Sequence, residues 1–273
     1  MSNVCILTDS TAQFIQPNFP GHERVTIIPF DLQMDTRQGG ILPDSRAAQP
    51  HLIPPSSQEF GRYYTHLGHK FDSILVLTLS AQLSPTMNNA ISASMQYSNN
   101  SAVEVVDSQT ATIGLGMLVQ IAAGAAAEGV ALAEISRRVR VAIPHIYALF
   151  CIPDLMYLAR GGHMDHAQAM VGEIMGMLPI FTLEEGRLVP MEKVRTPRHL
   201  FEAFQDFMGE FETPNHIALV HGMSHNTLRT RSLLQYMQEF FPDTPYSEHP
   251  IQPHMAVLFG PQSIGLVISE GLE

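Results

Sequence analysis

Short apolar runs alternate with stretches of helical periodicity through the first half of the chain. The runs are bounded by turn residues and are apolar at consecutive positions, as in parallel strands covered on both faces; they are residues 4–8, 25–29, 74–79, 103–106 and 147–152. The helical patterns occupy residues 58–68, 85–98, 113–128 and 132–141. This alternation predicts an α/β domain with a doubly wound, mainly parallel sheet.

The second half of the chain has a different pattern. Two apolar segments flank Glu184-Glu185-Gly186, which predicts a hairpin with glycine in its turn. Thr196 and Pro197 predict the cap and first turn of a helix. The strands and the last helix that we predict here are residues 180–183, 187–190, 216–220 and 264–269, with a helix at 228–240.

The change of pattern predicts two domains. We place an α/β domain at residues 1–157 and a smaller C-terminal α+β domain at residues 158–273, with an approximate boundary near 153–162. A Gly- and Pro-rich segment, residues 38–55, predicts a long loop that is functional or mobile.

Composition narrows the classes of partner. The formal net charge of −11 disfavours nucleic acid, because phosphate contacts need clustered Lys and Arg, and it disfavours anionic membranes. The longest stretch of low polarity, residues 113–127, is shorter than the ~20 residues that span a bilayer.

Cys5 and Cys151 lie inside apolar runs and predict buried thiols, not a disulfide. With no signal-peptide core at the N-terminus, we expect a soluble, cytoplasmic protein without stable membrane insertion.

Two stretches rich in hydroxyl groups are the candidate binding elements. One contains Ser56 and Ser57, and the other contains Ser84 and Thr86; each precedes a helical pattern. A hydroxyl beside the free amides of a helix N-terminus can hold a carboxylate or a phosphate without any charged side chain. Ordinary N-capping explains each stretch equally well.

The end of the first predicted strand carries a third polar stretch, Thr8-Asp9-Ser10-Thr11. We expect a helix to begin here, with Asp9 or Ser10 either capping it or bordering a ligand crevice at the edge of the sheet.

Motifs for metal, cofactor or catalytic chemistry are weak. Two histidine pairs, His163 with His166 and His221 with His225, have no cysteine or acidic ligand at metal-binding spacing. Gly114-x-Gly116 lacks the third glycine and the acidic residue of a dinucleotide fingerprint, and there is no nucleophile elbow or P-loop. We therefore predict no metal, no cofactor and no catalytic residue.

Six segments, in this order, resemble the DegV family of bacterial fatty-acid-binding proteins over nearly the whole chain. Ser56-Ser57-Gln58 is similar to the family's Thr-Ser-Gln loop, and Leu79 to Asn89 to its serine-rich Ser-Ser-x-Leu-Ser-Gly-Thr segment. The other matching segments are residues 8–12, 105–116, 157–164 and 193–196. Each motif is weak alone, but six in register are fairly specific.

The chain also departs from the family pattern. Ala81 and Pro85 replace a serine and a glycine of the serine-rich segment, and Glu59 replaces a proline. His163 stands where the family usually has arginine. Leu258 stands where the family has a histidine that helps to bind the lipid carboxylate, and His254 lies four residues upstream of it.

The resemblance implies a non-catalytic carrier that encloses one long-chain fatty acid in a pocket between its two domains. It implies that Ser56 and Ser84 hold the carboxylate, that His163 is a supplementary donor, and that the bound lipid is presented to a dihydroxyacetone-kinase-like fatty acid kinase. The other positions assigned to the ligand by match are Ser57, Thr86, Gly114 and Gly116. Arg195 matches an exposed position linked in the family to docking on the kinase, although a solvated loop charge explains it equally well.

Two alternatives stay open. One is an enzyme for a small carboxylate or phosphate ester, with Asp9 and His163 as acid and base. The other is a degenerate family member that has lost lipid binding and kept a regulatory interaction, which the altered serine segment and Leu258 favour.

Overall fold

The computed structural model describes residues 2–34, 50–97, 101–222 and 227–272. Of the loop predicted at residues 38–55, residues 38–49 lie outside this range, and so does His225. The elements of the first part of the chain are β1 (Val4–Asp9), β2 (Val25–Ile28), β3 (Asp31–Met34), β4 (Pro50–Ile53), α1 (Ser57–Leu67), β5 (Ser73–Thr78), α2 (Thr86–Gln96), β6 (Ala102–Asp107), α3 (Thr112–Ala127) and α4 (Leu132–Ala142).

The rest of the described chain forms a second set of elements. They are β7 (Ile146–Cys151), α5 (Met156–Arg160), α6 (His166–Ile174), β8 (Leu178–Glu184), β9 (Arg187–Val194), α7 (Pro197–Met208), β10 (Pro214–His221), α8 (Thr227–Phe240), β11 (Tyr246–Pro250), α9 (Pro253–Phe259) and β12 (Ile264–Glu270).

The first sheet is parallel and has the order β2-β1-β5-β6. Side chains alternate along each strand between two apolar layers. Cys5 and Leu7 of β1 pack against Phe60 and Tyr64 of α1, whereas the intervening Ile6 faces α3 and the second sheet. Both faces are therefore covered, as the continuous apolar runs predict.

The second sheet is mixed and has the order β11-β10-β12-β7-β8-β9. One face joins the apolar cluster that contains α3 and the first sheet, and the other packs on α7 and α8. The α/β fold class with two sheet domains is confirmed, and so is the hairpin β8–β9.

Three predictions of local structure are wrong. The strand at residues 147–152 does not extend the parallel sheet, because β7 pairs antiparallel with β12 and β8 in the second sheet. No helix begins after β1; the next helical turn is the 3₁₀ segment His22–Arg24. Residues 50–53 are not loop, because β4 pairs antiparallel with β3.

The apolar pattern of β7 could not reveal its sheet. Ala148 and Phe150 face one apolar cluster, while Leu149 and Cys151 face the other, so the run is apolar on both faces in an antiparallel setting too. The division at residues 157/158 stays a prediction, since one apolar cluster is continuous across both sheets.

Both cysteines are free and buried. Burial raises the pKa of the Cys5 thiol to about 11 and that of the Cys151 thiol to about 12, so both remain unreactive thiols at neutral pH. Among the described residues, no helix is both long and apolar enough to cross a bilayer.

Candidate functional site

The loops that follow β1, β5 and β6 meet at the carboxyl edge of the first sheet, which is where ligands bind in open α/β sheets. Asp9 holds two of these loops together: its carboxylate accepts from the Thr11 amide at 2.9 Å and from the Leu79 amide at 2.7 Å. Burial raises the pKa of Asp9 in spite of these hydrogen bonds. At the next strand, Asp107 accepts from the Ala81 amide at 3.0 Å.

These bonds fix the turn that carries Ser84. The Ser80 carbonyl accepts from the amides of Leu83 and Ser84 at 2.9 and 3.1 Å. Ser84 is buried, and its Oγ lies 2.7 Å from Oγ1 of Thr86, the first residue of α2. Since one hydroxyl donates to the other, one O–H of the pair is left for a third group.

Ser84 opens into a cavity of about 230 Å³ that is bordered by the serine-rich loop, β4, α5 and α9. Phe30, Leu83 and Leu258 line its apolar side. Its polar lining comes from both parts of the chain and consists of His51, Ser84, Tyr157, Arg160 and His163. The cavity is thus lined by both apolar and polar side chains.

The end of α5 places three of these polar groups. The helix stops after Arg160, and the His163 amide donates to the Leu158 carbonyl at 2.9 Å across Gly162, whose φ of +76° favours glycine. Burial lowers the pKa of His163, which favours the neutral form of its ring. Arg160 is exposed and takes part in none of the ion pairs formed within the described ranges.

Ser56 lies in a different setting from Ser84. It is the exposed N-cap of α1, where its hydroxyl donates to Glu59 at 2.6 Å and accepts from the Glu59 amide at 3.3 Å. The hydrogen bonds that the Ser56 hydroxyl and the Ser56 amide donate to the Glu59 carboxylate lower the pKa of Glu59. Ser56 does not line the cavity that contains Ser84, and Ser57 lines a separate surface groove between α1 and α2.

The predicted glycines serve packing. A Cβ at Gly116 would lie 2.0 Å from the Gln13 carbonyl oxygen, and a Cβ at Gly114 would lie 2.3 Å from Thr110 Oγ1. Both positions let α3 approach its neighbours closely, and neither lines the cavity.

The remaining predicted positions are spread over the molecule. Arg195 is exposed after β9. His254 lies near Ser10, with its Nε2 at 3.4 Å from Ser10 Oγ, and it does not line the cavity. Asp9 does not line the cavity either, so the acid–base pair with His163 has no support from this arrangement.

The structure places the predicted residues Ser84 and His163 on one cavity, together with Arg160 and Tyr157, which the sequence analysis does not single out. The signal for them lies in the matching segment at residues 157–164, where two polar residues and two glycines follow one another at positions 160–163. Within the described chain, no group of three or more His, Cys, Asp or Glu side chains could hold a metal ion.

The chain matches a known protein family over nearly its whole length. The DegV family model, described as "Uncharacterised protein, DegV family", matches residues 3–271. A protein of Thermotoga maritima named fatty acid-binding protein is 28% identical over 229 residues, which are 77% of this chain and 77% of that protein.

Two solved structures share the fold at low identity. A fatty acid binding DegV family protein from Streptococcus agalactiae has a TM-score of 0.83 at 19% identity, covering 98% of this chain and 99% of that one. The Fatty Acid Kinase B3 protein of Streptococcus pneumoniae, loaded with linoleic acid, has a TM-score of 0.81 at 17% identity, covering 98% and 99%.

Proposed function

The chain belongs to the DegV family, and we propose that it is a non-catalytic carrier that encloses one long-chain fatty acid between its two sheets. The observation that carries the proposal is the cavity itself, whose lining combines apolar side chains with the buried hydroxyl of Ser84 and other polar groups. The names of the Thermotoga and streptococcal relatives support the same ligand class.

The polar lining suits a carboxylate. A desolvated carboxylate needs strong donors, and we assign the Ser84–Thr86 hydroxyl pair as the neutral donor. Arg160 supplies the positive charge at the mouth, and Tyr157 and His163 lie beside it. Leu258 contributes only apolar surface, so Arg160 takes the place of the donor that the family's histidine provides.

We propose that Ser56 caps α1 and, unlike Ser84, does not hold the carboxylate. Its hydroxyl is engaged with Glu59, so it would have to leave that carboxylate before it could donate to a lipid. Ser57, Gly114 and Gly116 support the site through the surrounding chain in this proposal, without direct contact to the carboxylate.

The acyl chain gives most of the affinity. Each buried methylene contributes about 0.8 kcal/mol. The cavity of about 230 Å³ lies below the roughly 300–1,000 Å³ of typical ligand pockets. A long chain therefore requires Phe30, Leu83 and Leu258 to move apart as it enters.

The site also suits presentation to a kinase. Arg160 and Gly161 are exposed, so the carboxylate would sit at the mouth while the tail points inward. A dihydroxyacetone-kinase-like fatty acid kinase could then transfer the terminal phosphoryl group of ATP to a carboxylate oxygen, releasing ADP and acyl-phosphate. Arg195 is the docking residue that we propose, and Arg195→Ala should lower the rate of acyl-phosphate formation while leaving fatty-acid affinity unchanged.

Mass spectrometry of the denatured, freshly purified protein tests the proposal. We expect about one equivalent of a long-chain fatty acid, and delipidated protein should bind oleate again in titration. A polar metabolite in its place would favour the small-carboxylate enzyme. Failure of the folded, delipidated protein to bind any fatty acid would favour the regulatory alternative and overturn the proposal.

A further inference from the structure

The turn of the β8–β9 hairpin reaches from the second sheet to the serine-rich loop of the first. The Ser80 hydroxyl donates to the Gly186 carbonyl at 2.8 Å, and Ser80 is completely buried. Glu185 and Gly186 form the two-residue turn with φ values of +48° and +81°, as a type I′ hairpin requires. We call the contact between Ser80 and Gly186 the latch.

The backbone of Gly186 lies very close to the Ser80 side chain. A Cβ at Gly186 would lie 2.2 Å from Ser80 Oγ and 3.2 Å from the Cα of Gln109. Only glycine allows the hairpin to approach the loop this closely. A second bond lies at the exposed rim, where Arg187 Nε donates to Gln82 Oε1 at 3.1 Å.

Ser80 also determines where Ser84 lies. Its amide donates to the Thr110 carbonyl at 3.1 Å, its carbonyl accepts from the Ser84 amide, and its Oγ accepts from the Gln82 amide at 3.2 Å. One side chain therefore bonds the opposite sheet and the turn that presents the cavity hydroxyl.

We infer that Ser80 is a positioning residue that couples closure of the cleft to the placement of Ser84. This inference rests on the proposed fatty-acid carrier. Because a long acyl chain needs more room than the cavity offers, the sheets must separate during both uptake and release. Separation of the hairpin breaks the latch and removes the acceptor that orients the Ser80 hydroxyl beside the turn that carries Ser84.

The kinetics of exchange distinguish this role from a purely structural one. Ser80→Ala should speed both uptake of oleate and its release to acceptor vesicles of neutral phosphatidylcholine by about five- to tenfold, the effect of one lost buried hydrogen bond. Gly186→Ala, which changes the hairpin side of the latch, should also speed the uptake and the release of oleate. The matched control is Ser92→Ala, whose exposed hydroxyl bonds only the carbonyl of Asn88 in its own helix.

Hydrogen exchange gives a readout that does not depend on any lipid. Amides of residues 178–194 should exchange faster in Ser80→Ala than in the wild type, and those of α7 should not change. The double variant Ser80→Ala, Gly186→Ala should show less than the summed effect, because removing Oγ relieves the clash with the new Cβ.

The outcomes separate the inference from the function on which it rests. Wild-type protein that binds no fatty acid would end the carrier proposal, whereas hydrogen exchange would still report on the latch. Wild-type binding with Ser80→Ala and Gly186→Ala both within twofold of wild type in uptake, release and amide exchange would overturn the latch and leave the carrier intact. If Ser80→Ala does not fold, Gly186→Ala is judged by the same criteria.

Discussion

Ser56 and Ser84 have similar sequence contexts, since each lies just before a helix, but they have different surroundings. Ser56 is exposed, and Glu59 three residues later forms a capping box with it. Ser84 is buried and bonds a second hydroxyl at the edge of the cavity. Ser56 is the N-cap of α1, and Glu59 occupies its hydroxyl, whereas Ser84 lies one position before Pro85, the N-cap of α2. We expect this difference to leave the Ser84–Thr86 pair, and not Ser56, able to donate to a ligand.

The largest expected effect is on lipid affinity at Ser84. Ser84→Ala should raise the Kd for oleate by roughly ten- to a hundredfold, because a hydrogen bond to a charged group contributes about 1.5–3 kcal/mol. Isothermal titration measures this loss. Thermal unfolding of the lipid-free protein serves as the control, and we expect it to show only the loss of about 1 kcal/mol that one buried hydrogen bond contributes.

Substitution of Ser56, unlike that of Ser84, should lower the stability of the protein without weakening its binding of oleate. Ser56→Ala should lower the free energy of unfolding by about 1 kcal/mol through loss of the N-cap, with oleate affinity within twofold of wild type. Urea denaturation measures the free energy of unfolding, and isothermal titration measures the affinity for oleate. A tenfold loss of affinity here would restore Ser56 to the carboxylate site and end the contrast with Ser84.

Substitution of Arg160 should have a smaller effect on oleate binding than substitution of Ser84. Because this guanidinium is exposed, its attraction to a carboxylate is screened and contributes about 0.2–1 kcal/mol. Arg160→Gln should therefore weaken oleate binding by only about two- to fivefold, and more strongly at low salt than at high salt. The matched control is Arg198→Gln, an exposed arginine paired with Glu202 in α7. Equal losses for both variants would remove Arg160 from the site.

The smallest effect is the pH dependence of the α1 cap. Hydrogen bonds from Ser56 lower the pKa of Glu59. The ionised form is thus favoured by folding, and its contribution is present above the unfolded pKa and lost as pH falls through the folded one. The stability gap between wild type and Ser56→Ala should narrow on acidification from pH 7 towards pH 3. Denaturation curves at several pH values measure the gap, and a gap that widens would contradict the capping box.

Much of the fold was readable because local pattern and packing agree. α3 is made of small apolar residues and is buried on nearly all sides, and the β8–β9 turn carries the Glu-Gly pair that its backbone needs. β7 was assigned to the wrong sheet because both sheets are covered on both faces. No local pattern marks which neighbours such a strand will pair with.

The site was only partly readable from the sequence. Ser84 and His163, which the resemblance assigns to the ligand, line one cavity, but the position of Arg160 beside them depends on how the last turn of α5 meets α9. The latch could not be predicted from the sequence, because Ser80 and Gly186 are separated by 106 positions and neither residue type indicates a contact. Tertiary approach, not residue identity, creates both features.

The position of a bound carboxylate tests the central claim most directly. A crystal structure of the protein with oleate should place a carboxylate oxygen about 2.5–3.0 Å from Ser84 Oγ, with the acyl chain directed between the two sheets past Leu83 and Leu258. A carboxylate bound in the groove between α1 and α2, or an acyl chain outside the cleft, would contradict the account.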